Sequence, residues 1–181
     1  MNTYISLLRG INVSGRNKIK MAELHSLYES LKFSDVRSYL QSGNVVFTSA
    51  ETDRSAIARS IEAAIVDAYS YAVTIFVLDG ADLEHTFTAN PFLTGRSEDP
   101  ARLHVTFLAD SPSPEMLDKL VPPANTSDEF HIDGKRIYLF CPNGYGRTKL
   151  SNAFFERKLK VAATTRNWKT VTALHDMVVT P

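Results

Sequence analysis

A chain of 181 residues with 44% hydrophobic and 22% charged side chains has an ordinary globular composition and can bury a proper core. Lysine plus arginine equals aspartate plus glutamate at 20 each, so no global field draws the chain to nucleic acid or to an anionic membrane, and any anion site must be local. The lone Cys141 cannot form an internal disulfide; in the apolar run RIYLFC it reads as a buried inert thiol, which suits a reducing cytoplasm.

The opening MNTYISLLRG lacks the charged start and long apolar core of a signal peptide. No apolar run approaches the roughly 18 residues that a membrane helix needs. A cytoplasmic protein without membrane contact is expected. The first strand is predicted at 3–9, and after it comes LLRGINVSGRNKIK. Gly10 and Gly15 have the GxxxxG spacing of a phosphate loop. The next two positions, Arg16 and Asn17, stand where that loop needs a lysine and a hydroxyl, and no helix follows at once. The phosphate-loop reading is rejected; a loop carrying Arg9, Arg16, Lys18 and Lys20 remains a candidate for anions.

A helix follows with Leu24, Leu27, Tyr28 and Leu31 on one face, then strands at 36–41 and 44–49. A second helix, capped at Thr52 or Asp53, aligns Ile57, Ile61, Ile65 and Ala68, and a strand at 73–78 completes βαββαβ. A helical segment near 80–88 and the irregular NPFLTGRSEDP then connect to a second round. That round has a strand at 103–108, a helix at 114–121, a hairpin EFHID/RIYLFC turning at Asp133 and Gly134, a helix at 149–159, a strand VAATT and a last helix at 168–178. The fold class is α+β: two ferredoxin-like (βαββαβ) subdomains, at 1–79 and 102–181, joined by a connecting helix and loop at 80–101, with an extra C-terminal helix.

This topology places the exit of the first strand beside the hairpin turn at Ser42, Gly43 and Asn44. In the second half it brings PNGYGRTK (142–149) beside TTRNW (164–168), so Arg147, Lys149, Arg166 and Asn167 are expected to cluster near two helix N-termini, a favourable place for an anion. Tyr145 and Trp168 are the candidate stacking surfaces for the rest of a ligand.

At LLRGINVSGRNKIKMAEL, YLQSGNVVF, the NPF at 90–92, YGRTKL and ATTRNWKTV, the sequence resembles the bacterial family called domain of unknown function 1697. The resemblance runs nearly end to end. It implies paired ferredoxin-like subdomains joined through a common sheet, and it implies no activity. The motif residues carried over are Arg9, Gly10, Asn12, Gly15, Ser42, Gly43, Asn44, Asn90, Lys149, Thr165, Arg166, Asn167 and Trp168. Ser14 departs from the second glycine usual in the family, which puts a tight double-glycine approach to a ligand in doubt. Thr148 replaces a common serine and keeps the hydroxyl.

Structural readings compete at each position. Gly43 or Asn44 suits a turn with positive φ, Asn167 or Thr165 a helix cap, Trp168 a core position, Asn90 a turn, and Arg9 a pairing with a buried carboxylate. His25, His85, His104, His131 and His175 show no metal spacing, and neither GxSxG nor GxGxxG follows a strand. No metal or cofactor is expected.

The leading expectation is a binding module for a phosphate-bearing small molecule such as a nucleotide. Arg147, Thr148, Lys149, Arg166, Asn167 and Trp168 would hold it, joined by Arg9, Asn12, Lys18, Ser42 and Asn44. An enzyme acting on a phosphorylated or carboxylated metabolite, with Tyr145, Thr148 or a histidine moving protons, is the first alternative. RNA binding on the open sheet face, through Tyr39 and Phe47, ranks below it. The last alternative is a protein contact. Whether the two basic clusters share one pocket, and the oligomeric state, stay open.

Overall fold

A computed structural model describes residues 1–180. The chain divides into two compact units, one formed by Met1–Glu84 with the segment from Ala173 onward, the other by His85–Thr172.

The first unit holds β1 (Asn2–Leu8), α1 (Met21–Ser30), β2 (Ser34–Ser38), β3 (Asn44–Ser49), α2 (Arg54–Tyr69) and β4 (Ile75–Asp79). Its antiparallel sheet has the order β2-β3-β1-β4. Helix α2 starts where Asp53 accepts a hydrogen bond from the Ser55 amide at 2.8 Å, and it buries Ile57, Ile61 and Ile65. Helix α1 presents Leu24 and Tyr28 to the same core. The Tyr28 hydroxyl lies 2.7 Å from Ser6 Oγ on β1, so the deeply placed phenol is satisfied, and burial raises its pKa.

Helix α3 (Gly80–Thr88) begins in the first unit and ends in the second, which then holds α4 (Pro91–Thr94), β5 (Leu103–Leu108), α5 (Pro114–Asp118), β6 (Glu129–Asp133), β7 (Arg136–Phe140), α6 (Asn152–Leu159) and β8 (Ala163–Asn167). Its sheet order, β6-β7-β5-β8, repeats that of the first. Leu108, Ile137, Leu139 and Ala163 pack against Leu150, Phe154, Phe155 and Leu159. Both halves are thus ferredoxin-like, each with its own βαββαβ order. The strand pairings among the described residues correct one expectation: β4 pairs with β1 and β8 with β5, giving two four-stranded sheets and no joined sheet.

The C-terminal helix α7 (Trp168–Val179) starts in the second unit and ends in the first. There Arg37 Nη2 donates to the Met177 carbonyl at 2.9 Å, and His175 Nε2 lies 2.5 Å from Glu84. Strand β2 ends earlier than predicted because Leu40 has φ of 58°, which breaks extension before the hairpin. No helix among the described residues is long and apolar enough to cross a membrane.

Candidate functional site

The first candidate region starts where β1 ends. The Leu8 amide donates to the Gly43 carbonyl at 2.8 Å and the Arg9 amide to Thr74 at 3.0 Å, so the exit loop leaves between the β2–β3 hairpin and the entry to β4. The predicted neighbourhood of loop and hairpin is therefore present. Gly43 has φ of +78°, and a Cβ there would lie 2.6 Å from Leu8 Cβ and 2.9 Å from Ile11 Cδ1. Only glycine allows that approach.

The loop is held by its asparagines. Asn12, at φ of 54°, donates through Nδ2 to the carbonyls of Ile19 at 2.9 Å and Gln41 at 2.8 Å, while its Oδ1 accepts from the Ile19 amide at 2.9 Å. Asn17 Nδ2 donates to Gly10 at 3.2 Å. Between them Ser14 (φ 50°) and Gly15 (φ 75°) form a two-residue turn, closed by the Arg16 amide on Val13 at 2.9 Å. Two successive positive φ values are the signature of a type I′ turn. A glycine at 14 would serve this backbone conformation, which Ser14 adopts at some cost in strain.

Asn12, Ser42 and Asn44 are thus engaged in scaffolding. Asn44 is fully buried and donates to the Tyr39 carbonyl at 2.9 Å and to Ser42 Oγ at 3.0 Å. Lys18 is exposed, and its carbonyl accepts from the Tyr71 hydroxyl at 2.9 Å. The Tyr71 ring stacks on Tyr69 with centroids 5.8 Å apart. Arg9 and Arg16 instead line an open cleft of about 640 Å³ together with Gly10, Ser14, Asn17 and Thr74. The sequence placed Arg16 among the cations of a candidate anion loop, though not among the expected ligand residues, and carried no sign of Thr74. The β1–β4 pairing that sets Leu8 opposite Ile75 is the signal that brings that segment in.

The second candidate region is also adjacent as predicted, since Leu103 pairs with Phe140 and His104 with Asn167. Its cations diverge, however. Arg166, 8% exposed, donates through Nη1 to Thr164 Oγ1 at 2.8 Å and to the Thr165 carbonyl at 3.0 Å. Burial lowers its pKa to about 10. Lys149 reaches away to the Ala124 carbonyl at 2.8 Å, Thr148 donates to Asp128 at 2.6 Å, and Arg147 is exposed on a short 3-10 turn.

Both helix N-termini are closed by their own caps. Ser151 accepts from Phe154 at 3.2 Å, and Asn167 Oδ1 accepts from the Thr170 amide at 2.8 Å. Trp168 is buried and stacks at 7° on Phe87. Tyr145 stacks on His104 at 4.6 Å, and burial raises the phenol's pKa and lowers the imidazole's. Beside them Thr165 Oγ1 lies 2.7 Å from Thr106 and donates to Asn152 at 2.6 Å. This network engages the Thr165 and Thr106 hydroxyls with each other and with Asn152. Of the two aromatics considered for RNA stacking, Phe47 is fully buried in the helix-side core and Tyr39 is half-buried. No group of three or more metal-ligating side chains occurs among the described residues.

The model of the family described as "Protein of unknown function (DUF1697)" matches residues 1–138. The chain belongs to this family. The DUF1697 match covers the Arg9–Asn17 loop and the SGN hairpin, while the YGRTKL and ATTRNWKTV motifs lie beyond the matched residues. A solved structure, described as that of the conserved bacterial protein SP0830 from Streptococcus pneumoniae, is similar in fold, with a TM-score of 0.73 at 24% identity over 99% of both chains. Among curated proteins none matches.

Proposed function

We propose that this DUF1697 protein binds a phosphate-bearing small molecule in the cleft at Arg9–Asn17. The observation that carries the reading is a pair of arginines, Arg9 and Arg16, on one cleft of about 640 Å³ whose loop is held by its own hydrogen bonds. A preformed loop loses little entropy when it meets a ligand. Arg16 is exposed, so a phosphate that it grips exchanges water for a charge-assisted bond worth about 1.5–3 kcal/mol.

Two such contacts, about 3–6 kcal/mol together, only match an association cost of at least about 4 kcal/mol. Inorganic phosphate is therefore a weak ligand, and the organic part of the molecule must add contact. The stacked Tyr69–Tyr71 pair, tied to the loop where the Tyr71 hydroxyl donates to the Lys18 carbonyl, offers an aromatic surface for it. The buried, lone Cys141, whose thiol burial pushes up to about 11, accords with a cytoplasmic setting.

The test is thermal unfolding against nucleotides, sugar phosphates, dicarboxylates and a short RNA. A ligand of the native state raises the midpoint. A rise with a phosphate ester that disappears in Arg16→Ala supports the reading, and no rise with any anion overturns it.

A further inference from the structure

A second groove, of about 400 Å³, lies wholly within the unit His85–Thr172, and its chemistry differs from that of the arginine cleft. One wall is the loop Val121, Pro122 and Pro123; the other is α6, through Phe154, Arg157 and Lys158, with Lys149 at the same groove. Three cations line it and no carboxylate does. Its apolar wall is open to solvent, since Val121 is 66% exposed. The wall is also firm. Lys149 Nζ donates to the Ala124 carbonyl at 2.8 Å, and two successive prolines fix φ along the loop.

We propose that this groove docks an extended acidic peptide segment of a partner protein, with carboxylates paired to Arg157 and Lys158 and an apolar side chain against Val121 and Pro122. Charge complementarity and the apolar wall together select this occupant. A nucleic acid would want an aromatic face for its bases, whereas Phe154 is buried in the core. A compact anion such as phosphate is disfavoured because it would meet Arg157 and Lys158 and leave the apolar wall at Val121 and Pro122 without a partner. Spaced carboxylates with an apolar residue between them meet both features of the groove.

The experiment is fluorescence anisotropy with the full chain and a labelled peptide of about a dozen residues alternating Glu or Asp with Leu or Phe. Comparison probes are a Glu-only peptide, the same peptide with Lys for its acids, and a single-stranded oligonucleotide of equal charge. Arg157→Gln with Lys158→Gln, and Val121→Asp, are the test variants; all three positions are exposed and none places a carboxylate at the end of α6, so the thermal midpoint is expected to stay close to the wild-type value. Saturable binding of the acidic apolar peptide, weakened at least about tenfold in each variant, is the expected result. Equal binding of the Glu-only peptide, preference for the oligonucleotide, unaltered binding by the variants, or no saturation overturns the proposal. Arg16→Ala leaves this binding unchanged, so failure here and failure of the phosphate reading are separate results.

Discussion

The loop Arg9–Asn17 and the segment Thr164–Trp168 are built from similar side chains, arginine and asparagine close to a strand end, and they place them in opposite ways. In the loop, the asparagines carry the hydrogen bonds that hold the backbone, and Arg16 stays exposed beside a cleft. In the segment, Arg166 is buried with its own strand as acceptor, and Asn167 caps the following helix. The proposed ligand site is the region where other groups supply the scaffold. Charge spent on the chain itself is unavailable to a ligand.

The largest effect should come from the frame of the loop. Gly43→Ala is expected to cost roughly 2–5 kcal/mol, because it combines a left-handed φ with a Cβ placed against Leu8 and Ile11. Urea denaturation measures it, and a loss under about 1 kcal/mol would mean that loop and hairpin need not approach so closely.

Arg166→Ala comes next, at about 2–3 kcal/mol, since it removes charge-assisted bonds and a packed stem while relieving some desolvation. A variant as stable as wild type would show that Arg166 is not structural and would blur the contrast between the two regions.

Asn12→Ala should cost about 1–2 kcal/mol by freeing Ile19 and Gln41 from their shared partner. Faster amide exchange confined to residues 10–19 would locate the loss in the loop, and uniform change across the unit would place it elsewhere. The smallest effect is a gain: Ser14→Gly should stabilise by about 0.5 kcal/mol, as relief of positive φ exceeds the added unfolded-state entropy. A destabilised variant would assign the Ser14 side chain a role that the turn geometry does not give it.

Much of the architecture was legible because both halves repeat the same apolar periodicities. Ile57, Ile61 and Ile65 declared α2, and Asp133–Gly134 declared the β6–β7 hairpin. Counting strand directions then placed each loop beside its neighbour. Side-chain direction was not legible. Thr165 faces α6 through its bond to Asn152, and alternation along β8 sends Arg166 to the other face, which undid the expected cluster of Arg147, Lys149 and Arg166. Lys149 was likewise drawn to Ala124, a partner far away in sequence that no local pattern announces.

The most direct measurement is calorimetric titration of wild type, Arg16→Ala and Arg166→Ala with whichever phosphate ester raises the wild-type midpoint. The account predicts that Arg16→Ala weakens affinity at least about tenfold while remaining as stable as wild type. Arg166→Ala should unfold more readily and bind as before. Unchanged affinity in Arg16→Ala, or affinity lost only in a folded Arg166→Ala, would contradict it and return the site to the Thr164–Trp168 segment.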